Sequence, residues 1–407
     1  MLKFIKLAWR NILRNKRRTF IAGIAIGMGL TALIFYDAIM IGMEENMVRT
    51  ATSSFIGQAQ IHEEGYRKTR EVEKTINNLD SVTARLSRDP LVSEFSQRVM
   101  SFAMISSAGN ATQVQLVGVD PESERGLSVF DEAIVKGDYL SGEKKRELVI
   151  GRKLADILEV EMGDRVVITT AQAETGDLSQ QMLRVSGIFE YGDRSMDAGL
   201  ALIPIEKARE MLNIEGAHEI ALHFEEISHS ENDTLPFWSR YSTHGNEAIS
   251  WTGIVPQLDA AFDMAGFAKW IVGLILFGIV ALVIINTLFM SLHERMFEFG
   301  VMKAIGTSPF KICFLMVMEA AMLAVVSIVI GSILALGVNL ILGEVGIDYR
   351  GMEFLGTTIN DLIYPVIQAD QFIIYPLWLF FLTALVGLYP ALHAARMSPA
   401  EAMQKTM

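Results

Sequence analysis

Two carboxylates stand where carboxylates are costly. Asp37 interrupts the apolar run Phe20–Met43, and Glu319 lies one to two turns inside the cytoplasmic end of another, over 312–343. A charged side chain at membrane depth costs roughly 2.5–3.5 kcal/mol unless it is paired, hydrated or neutralised, so both are candidates for function. Asp37 is six residues before Met43, about 9 Å by helix rise. It is expected either to reach the outer interface or to line a cavity between spans as a polar gate. Glu319 is expected to pair with Lys311 or another basic residue.

Other chemistries are missing their residues. A phosphate-cradling loop needs G-x-x-x-x-G-K-[ST]. The nearest stretch, GDYLSGEKK (Gly137–Lys145), lacks Gly-Lys, so the chain is not expected to be an enzyme or to hydrolyse ATP alone. There is no H-E-x-x-H and no G-x-S-x-G. His223, His229 and His244 are spaced by six and fifteen residues, which matches no usual ligand pattern, and they read as scattered surface histidines. Neither a metal nor a cofactor is expected. The single cysteine, Cys313, forms no intramolecular disulfide.

The apolar runs define the architecture. Of 407 residues, 51% are hydrophobic. Segments 20–43, 270–292, 312–343 and 371–392 each exceed the ~20 residues that span a bilayer core. The first is too long for a signal h-region and lacks a small-residue cleavage site. Lys3, Lys6, Arg10, Arg14, Lys16, Arg17 and Arg18 precede it with no acid among them, which places the N-terminus in the cytoplasm. Glu44–Lys269 carries 37 acids against 22 basic residues, the signature of the outer side. The remaining segments alternate: a cytoplasmic connection over 293–311, a short outer connection over 344–370, and a cytoplasmic tail over 393–407.

The insert 44–269 reads as α+β. QRVMSFAMISSAGNATQVQLVGVD predicts two strands meeting at Gly109-Asn110. Leu148–Ile150 and Arg165–Thr169 are short strands, with a helix over Lys153–Val160 between them. Ala171–Gln181 reads as a polar loop, followed by strands in LRVSGIFEY and GLALIPI. IEKAREMLNI is helical, its Ile205, Ala208, Met211 and Leu212 recurring at three-to-four spacing. After the first span ENMVRTATSSF carries no turn signal, and before the second Val255, Leu258, Phe262 and Ala265 form one stripe interrupted by Asp259 and Asp263, so the first two spans are expected to continue outward as helical stalks.

The connection LHERMFEFGVMKAIGTSPFKI is amphipathic. Met296, Phe297, Phe299, Val301, Met302 and Ile305 alternate with Arg295, Glu298 and Lys303, and Gly306–Pro309 turns the chain. Thr307 or Ser308 is positioned to cap the next helix. Such a helix lies in the interface or presents its face to a soluble partner; periodicity does not choose.

At these residues a resemblance enters. AWRNILRNKRRT (Ala8–Thr19), RMFEFGVMKAIGTSPFKI (Arg295–Ile312) and YPALHAARMSPAEAM (Tyr389–Met403) resemble the permeases of the ABC-transporter superfamily that includes the lipoprotein-releasing (LolC/LolE), MacB and FtsX proteins. The middle motif is similar to the family's coupling signature at Arg295, Glu298, Gly300, Lys303, Ala304 and Gly306. The resemblance covers the whole chain. It implies an α-helical membrane protein with four transmembrane helices and a large extracytoplasmic α+β domain, a MacB-like porter with an inserted subdomain. Segment 1–19 is similar to the family's cytoplasmic amphipathic helix. A separate ATPase would bind the ATP, and a second permease would complete a homo- or heterodimer. The large insert is most similar to those of lipoprotein-releasing permeases, which implies lipidic cargo, an inner-membrane location and a periplasmic lipoprotein carrier as a further partner; no nucleic acid is expected. The short, proline-free loop Ala171–Gln181 departs from the longer proline-containing hook that recruits the carrier. Ala32 and Phe35 would face the cargo. The same layout also suits a mechanotransmitting regulator of a periplasmic enzyme, or a tripartite efflux permease.

Overall fold

The computed structural model describes residues 9–11, 14, 16–142, 146–350, 353–354, 357–358 and 362–397. Most of the basic leader and the last six residues of the tail motif lie outside them. The chain forms two units: Met1–Asn46 with Phe262–Arg350 and Asn360–Met407, and Met47–Ala261 with Gly351–Ile359.

Four long helices and a short one, among the described residues, organise the first unit. The long ones are α1 (Lys16–Ala51), α2 (Pro256–Glu294), α4 (Pro309–Val345) and α5 (Gln371–Arg396), all long and apolar enough to cross a membrane. Short α3 (Met296–Ala304) lies between α2 and α4. Each terminus has a local cause. Pro309 opens α4 at the first helical position, where its missing N–H is no loss. Gly346, at φ +73°, ends it by donating its N–H to Leu342 O at 2.8 Å. Asp370 accepts from Gln371 N at the start of α5.

Ile26, Leu30 and Ile34 of α1 recur every four residues, as do Val280, Ile284 and Leu288 of α2. These stripes meet Ala320 and Leu323 of α4 and Leu379 of α5 in one buried cluster. α1 and α4 approach each other through glycines. A Cβ on Gly331 of α4 would lie 2.6 Å from Gly27 O of α1, so only glycine permits this approach. Thr31 Oγ1 then donates to Gly331 O at 3.0 Å. Small residues with a hydroxyl bond across the seam are how helices associate where lipid removes the hydrophobic drive.

The second unit is built on one sheet, β1 (Ala59–Glu63), β2 (Val92–Ser106), β3 (Ala111–Val119), β4 (Ile134–Gly137), β5 (Glu147–Gly151), β6 (Arg165–Ala171), β7 (Leu178–Phe189), β8 (Leu200–Pro204), β9 (Glu219–Phe224) and β10 (Asn246–Ser250). Its order is β10-β1-β9-β2-β3-β8-β5-β7-β4, with β6 pairing β2 and β7. The 15-residue β2 joins two cores. Ile61, Leu222, Phe224 and Phe237 belong to one. Val99, Leu116, Ile150, Leu183 and Ala208 belong to the other. Helices Arg152–Leu158 and Ile205–Leu212 bury the apolar faces that their spacing announces.

One segment departs from the sequence reading. Of the expected loop Ala171–Gln181, Ala171 and Leu178–Gln181 are strand: β6 and β7 pair from Ala171↔Leu178 to Arg165↔Arg184, leaving only residues 172–177 as the turn. The polar, exposed composition of a hairpin tip hides its extended backbone. Four membrane-length helices with a sheet-based α+β domain are the fold class expected.

Candidate functional site

The coupling stretch folds into a short helix fastened at both ends. Arg295 breaks the path from α2 into α3 with φ −113° and ψ 15°, and its side chain turns inward. Its Nη1 donates to Glu319 Oε1 of α4 at 2.5 Å, and its Nε donates to Glu298 Oε2 at 3.0 Å. The guanidinium also lies 5.1 Å over the Phe299 ring. Two residues of the N-terminal segment complete the network: Asn11 Nδ2 donates to Glu319 Oε1 at 2.5 Å, and Arg14 Nη2 donates to Glu298 Oε1 at 2.7 Å. A cavity of about 70 Å³ opens among Asn11, Arg14, Ser291, Arg295 and Glu319. Glu298 is partly buried, which opposes ionisation, but the hydrogen bonds from Arg14 and Arg295 prevail and hold it below the usual carboxylate range.

At the far end of α3, Lys303 Nζ donates to Ala395 O and Met397 O, both at 2.6 Å. These carbonyls are at the C-terminus of α5, where helix carbonyls lack backbone partners and a cation is favoured. Between the two anchors, Met296 and Phe299 are buried with Leu292, Ile312, Leu315, Met316, Ala391 and Ala394. Gly300 is buried on the same side.

The opposite face is bare. Phe297, Val301 and Ile305 recur at four-residue spacing and are 50%, 38% and 77% exposed. Ala304 is also exposed. Gly306 has φ +93°, and a Cβ there would meet open space, so the constraint is backbone conformation and not room. Ser308 occupies the N-cap of α4 but makes no side-chain capping bond. Instead, Thr307 N closes the turn on Met302 O at 2.9 Å.

Glu319 thus pairs with Arg295 and not with Lys311. Asp37 is buried, ion-paired with Lys269 of α2, and accepts from Gln371 Nε2 of α5 at 2.9 Å. The structure draws it between helices and does not leave it reaching alone for the interface. Ala32 and Phe35 are half-buried on α1. Among the histidines, His244 is exposed, while His223 turns inward to Thr52 O at 3.3 Å. The sequence reading missed Asn11, Lys269 and Gln371 as partners. Lys269 is a lone charge at the edge of an apolar run, which was the available signal; Asn11 and Gln371 stand beside Arg10 and Asp370 and carried none.

Comparison with known proteins agrees with this architecture. The family model of the MacB-like periplasmic core domain matches residues 19–228, and that of the FtsX-like permease C-terminal matches residues 270–399. The lipoprotein-releasing system transmembrane protein LolC of Xylella fastidiosa (strain 9a5c) is 22% identical over 96% of each chain. LolE of Haemophilus influenzae is 21% identical over 98% of each. The ABC transporter permease YtrF of Bacillus subtilis is 37% identical over 93 residues, 22% of this chain and 21% of that one. Among solved structures, the periplasmic region of MacB from Actinobacillus actinomycetemcomitans is 14% identical, covers 49% of this chain and 92% of its own, and has a TM-score of 0.34. The chain belongs to the ABC-transporter permeases that join a MacB-like periplasmic core domain to an FtsX-like C-terminal permease region.

Proposed function

We propose that this permease is the membrane subunit of an ATP-driven complex that extracts lipoproteins, or other lipidic cargo, from the inner membrane for transfer toward the outer membrane. The observation that carries the reading is the state of α3, held at both ends while it presents Phe297, Val301 and Ile305 outward. A soluble ATPase on a separate chain docks on that face, with both termini of the permease in the cytoplasm and its sheet domain in the periplasm. Arg295, Glu298, Gly300, Lys303, Ala304 and Gly306 are then the coupling residues. A push on α3 passes through Arg295 to α4 and through Lys303 to the end of α5. The names of the relatives that match almost end to end support lipoproteins as the cargo class. A second permease completes the pair, and a periplasmic carrier receives the cargo. Ala32 and Phe35 on α1 line its route.

Affinity purification of the membrane-embedded chain tests the reading. A co-purifying ATPase is expected, lost in Phe297→Asp or Gly306→Arg while the permease still folds. Photocrosslinking from Ala32 or Phe35 to acylated protein tests the cargo. Recovery of a periplasmic hydrolase with no acylated species would move the assignment to a regulator.

A further inference from the structure

β2 loses a neighbour toward its N-terminal end. β3 pairs with it only between Arg98↔Val119 and Ser106↔Ala111, and past Val119 the chain enters helix Pro121–Leu127. Beyond that point Gln97 and Phe95 continue along β2, two residues apart and so on one face. With residues of helices Pro121–Leu127 and Ile205–Leu212 they line a cleft of about 670 Å³. Clefts of this order hold small ligands, on largely apolar walls with a few placed polar groups. Phe95, Pro121 and Pro204 supply the apolar wall here, and Gln97 and Lys207 the polar groups.

Lys207 is the unexpected member. Its side chain is only 9% exposed, although lysine is almost never buried unless it is paired. It lies in the first turn of its helix, where a cation opposes the helix dipole. Its sole partner among the described residues is Glu210, at 2.9 Å, and that carboxylate is 58% exposed. An ion pair with so exposed a member contributes little, which does not offset the cost of burying an ammonium. Nζ carries three N–H groups, and Glu210 takes one of them.

The other charges lining the cleft are committed. Asp120 accepts from Ser123 N at 3.2 Å and from Ser123 Oγ at 2.8 Å. Glu206 accepts from Arg209 Nη1 at 2.9 Å. Arg209 also donates to Gln97 Oε1 at 2.9 Å and to Gly216 O at 3.1 Å, so all three of its nitrogens are engaged. Lys207 is the lining cation whose one charged nitrogen keeps donors in hand.

We propose that this cleft binds an amphiphilic carboxylate, with its anionic head on Lys207 Nζ and its apolar body against Phe95, Pro121 and Pro204. The head competes with Glu210 for the ammonium. A free medium-chain fatty acid and the C-terminus of an apolar peptide share that chemistry. The site lies wholly within the sheet domain and goes beyond the proposed function, requiring neither the ATPase nor the cargo.

Saturation-transfer NMR on the full chain in nanodiscs tests this with two probes, octanoate and N-acetyl-leucyl-phenylalanine, each referenced to empty nanodiscs. At least one is expected to bind, and whichever binds names the source, fatty acid or peptide terminus. Lys207→Met should weaken binding roughly tenfold, the scale of one lost charge-assisted bond, and Lys207→Arg should keep most of it. Glu210→Gln, at an exposed position, removes the competing carboxylate and should tighten binding several-fold, which a lysine serving only the fold would not do. If Lys207→Met does not fold, Glu210→Gln decides. No saturation of either probe beyond that of empty nanodiscs, or parental affinity in the deciding variant, would overturn the site.

Discussion

Arg295 and Glu319 meet at 2.5 Å across twenty-four positions of sequence, the guanidinium donating from the α2–α3 junction to a carboxylate inside α4. Both side chains are about nine-tenths shielded from solvent. Neither residue is tolerable at that depth alone, and the pair makes α3 continuous with α4 in a mechanical sense.

Glu319→Leu should therefore destabilise the helical unit more than a surface change would. Breaking a buried pair from one side costs roughly 3–5 kcal/mol, because the remaining charge is left unpaired. Arg295 keeps its bond to Glu298, and the adjoining cavity gives it some access to water, so about 2 kcal/mol is the expected loss here. Arg295→Met together with Glu319→Leu should recover most of it. Thermal unfolding in detergent checks this, and equal melting of the single and double variants would refute a coupled pair.

Lys303→Met should free the end of α5 without disturbing the core around Phe299. Two charge-assisted bonds to Ala395 O and Met397 O are lost, each of a kind contributing on the order of 1 kcal/mol net at a half-exposed site. Hydrogen exchange in the last turn of α5 is expected to quicken, with Lys303→Arg restoring part of the protection. Unchanged exchange there would show that packing of Ala391 and Ala394 alone holds the end.

On the proposed function, Gly306→Ala should weaken coupling while leaving room untouched. The Cβ meets nothing within 4 Å, but φ +93° is strained for any L side chain, at a cost of roughly 1–2 kcal/mol. The turn into Pro309 is expected to relax and shift α3, lowering ATP-dependent cargo release more than ATPase recovery on purification. Release at the parental rate would separate the turn from coupling.

Much of this architecture was legible in the residues. Length and charge marked the four long helices, and three-to-four spacing located Ile205–Leu212. Alternation located β2 and β3, with their turn at Gly109-Asn110. Pairings between distant elements were not legible, because composition names a costly charge and not its partner. Lys311 was the nearer cation to Glu319, yet Arg295 reaches it because the chain breaks at the α2–α3 junction. Asp37 found Lys269 on another helix. Arg98 lies in β2 beside the buried Val99, Met100 and Ser101, and its burial follows from Glu124 and Glu219, residues 26 and 121 positions away.

Acid should destabilise the sheet domain through His62. This residue is fully buried in β1, and neither ring nitrogen has a hydrogen-bond partner among the described residues. Burial, with Arg67 and Arg70 nearby, pushes its pKa from 6.5 down to about 3. The folded state keeps His62 neutral while the unfolded chain accepts a proton near the ordinary value. Stability is therefore full above about pH 6.5 and is lost progressively as pH falls toward about 3, at a limit of ~1.4 kcal/mol per pH unit. His218 and His223 are shifted in the same direction, again first by burial. Comparing melting at about pH 7.5 and about pH 5 should show a loss on the order of 2 kcal/mol from His62 alone. His62→Leu, which removes the titratable ring, is expected to flatten that slope; a slope unchanged by the substitution would assign the acid sensitivity to other groups.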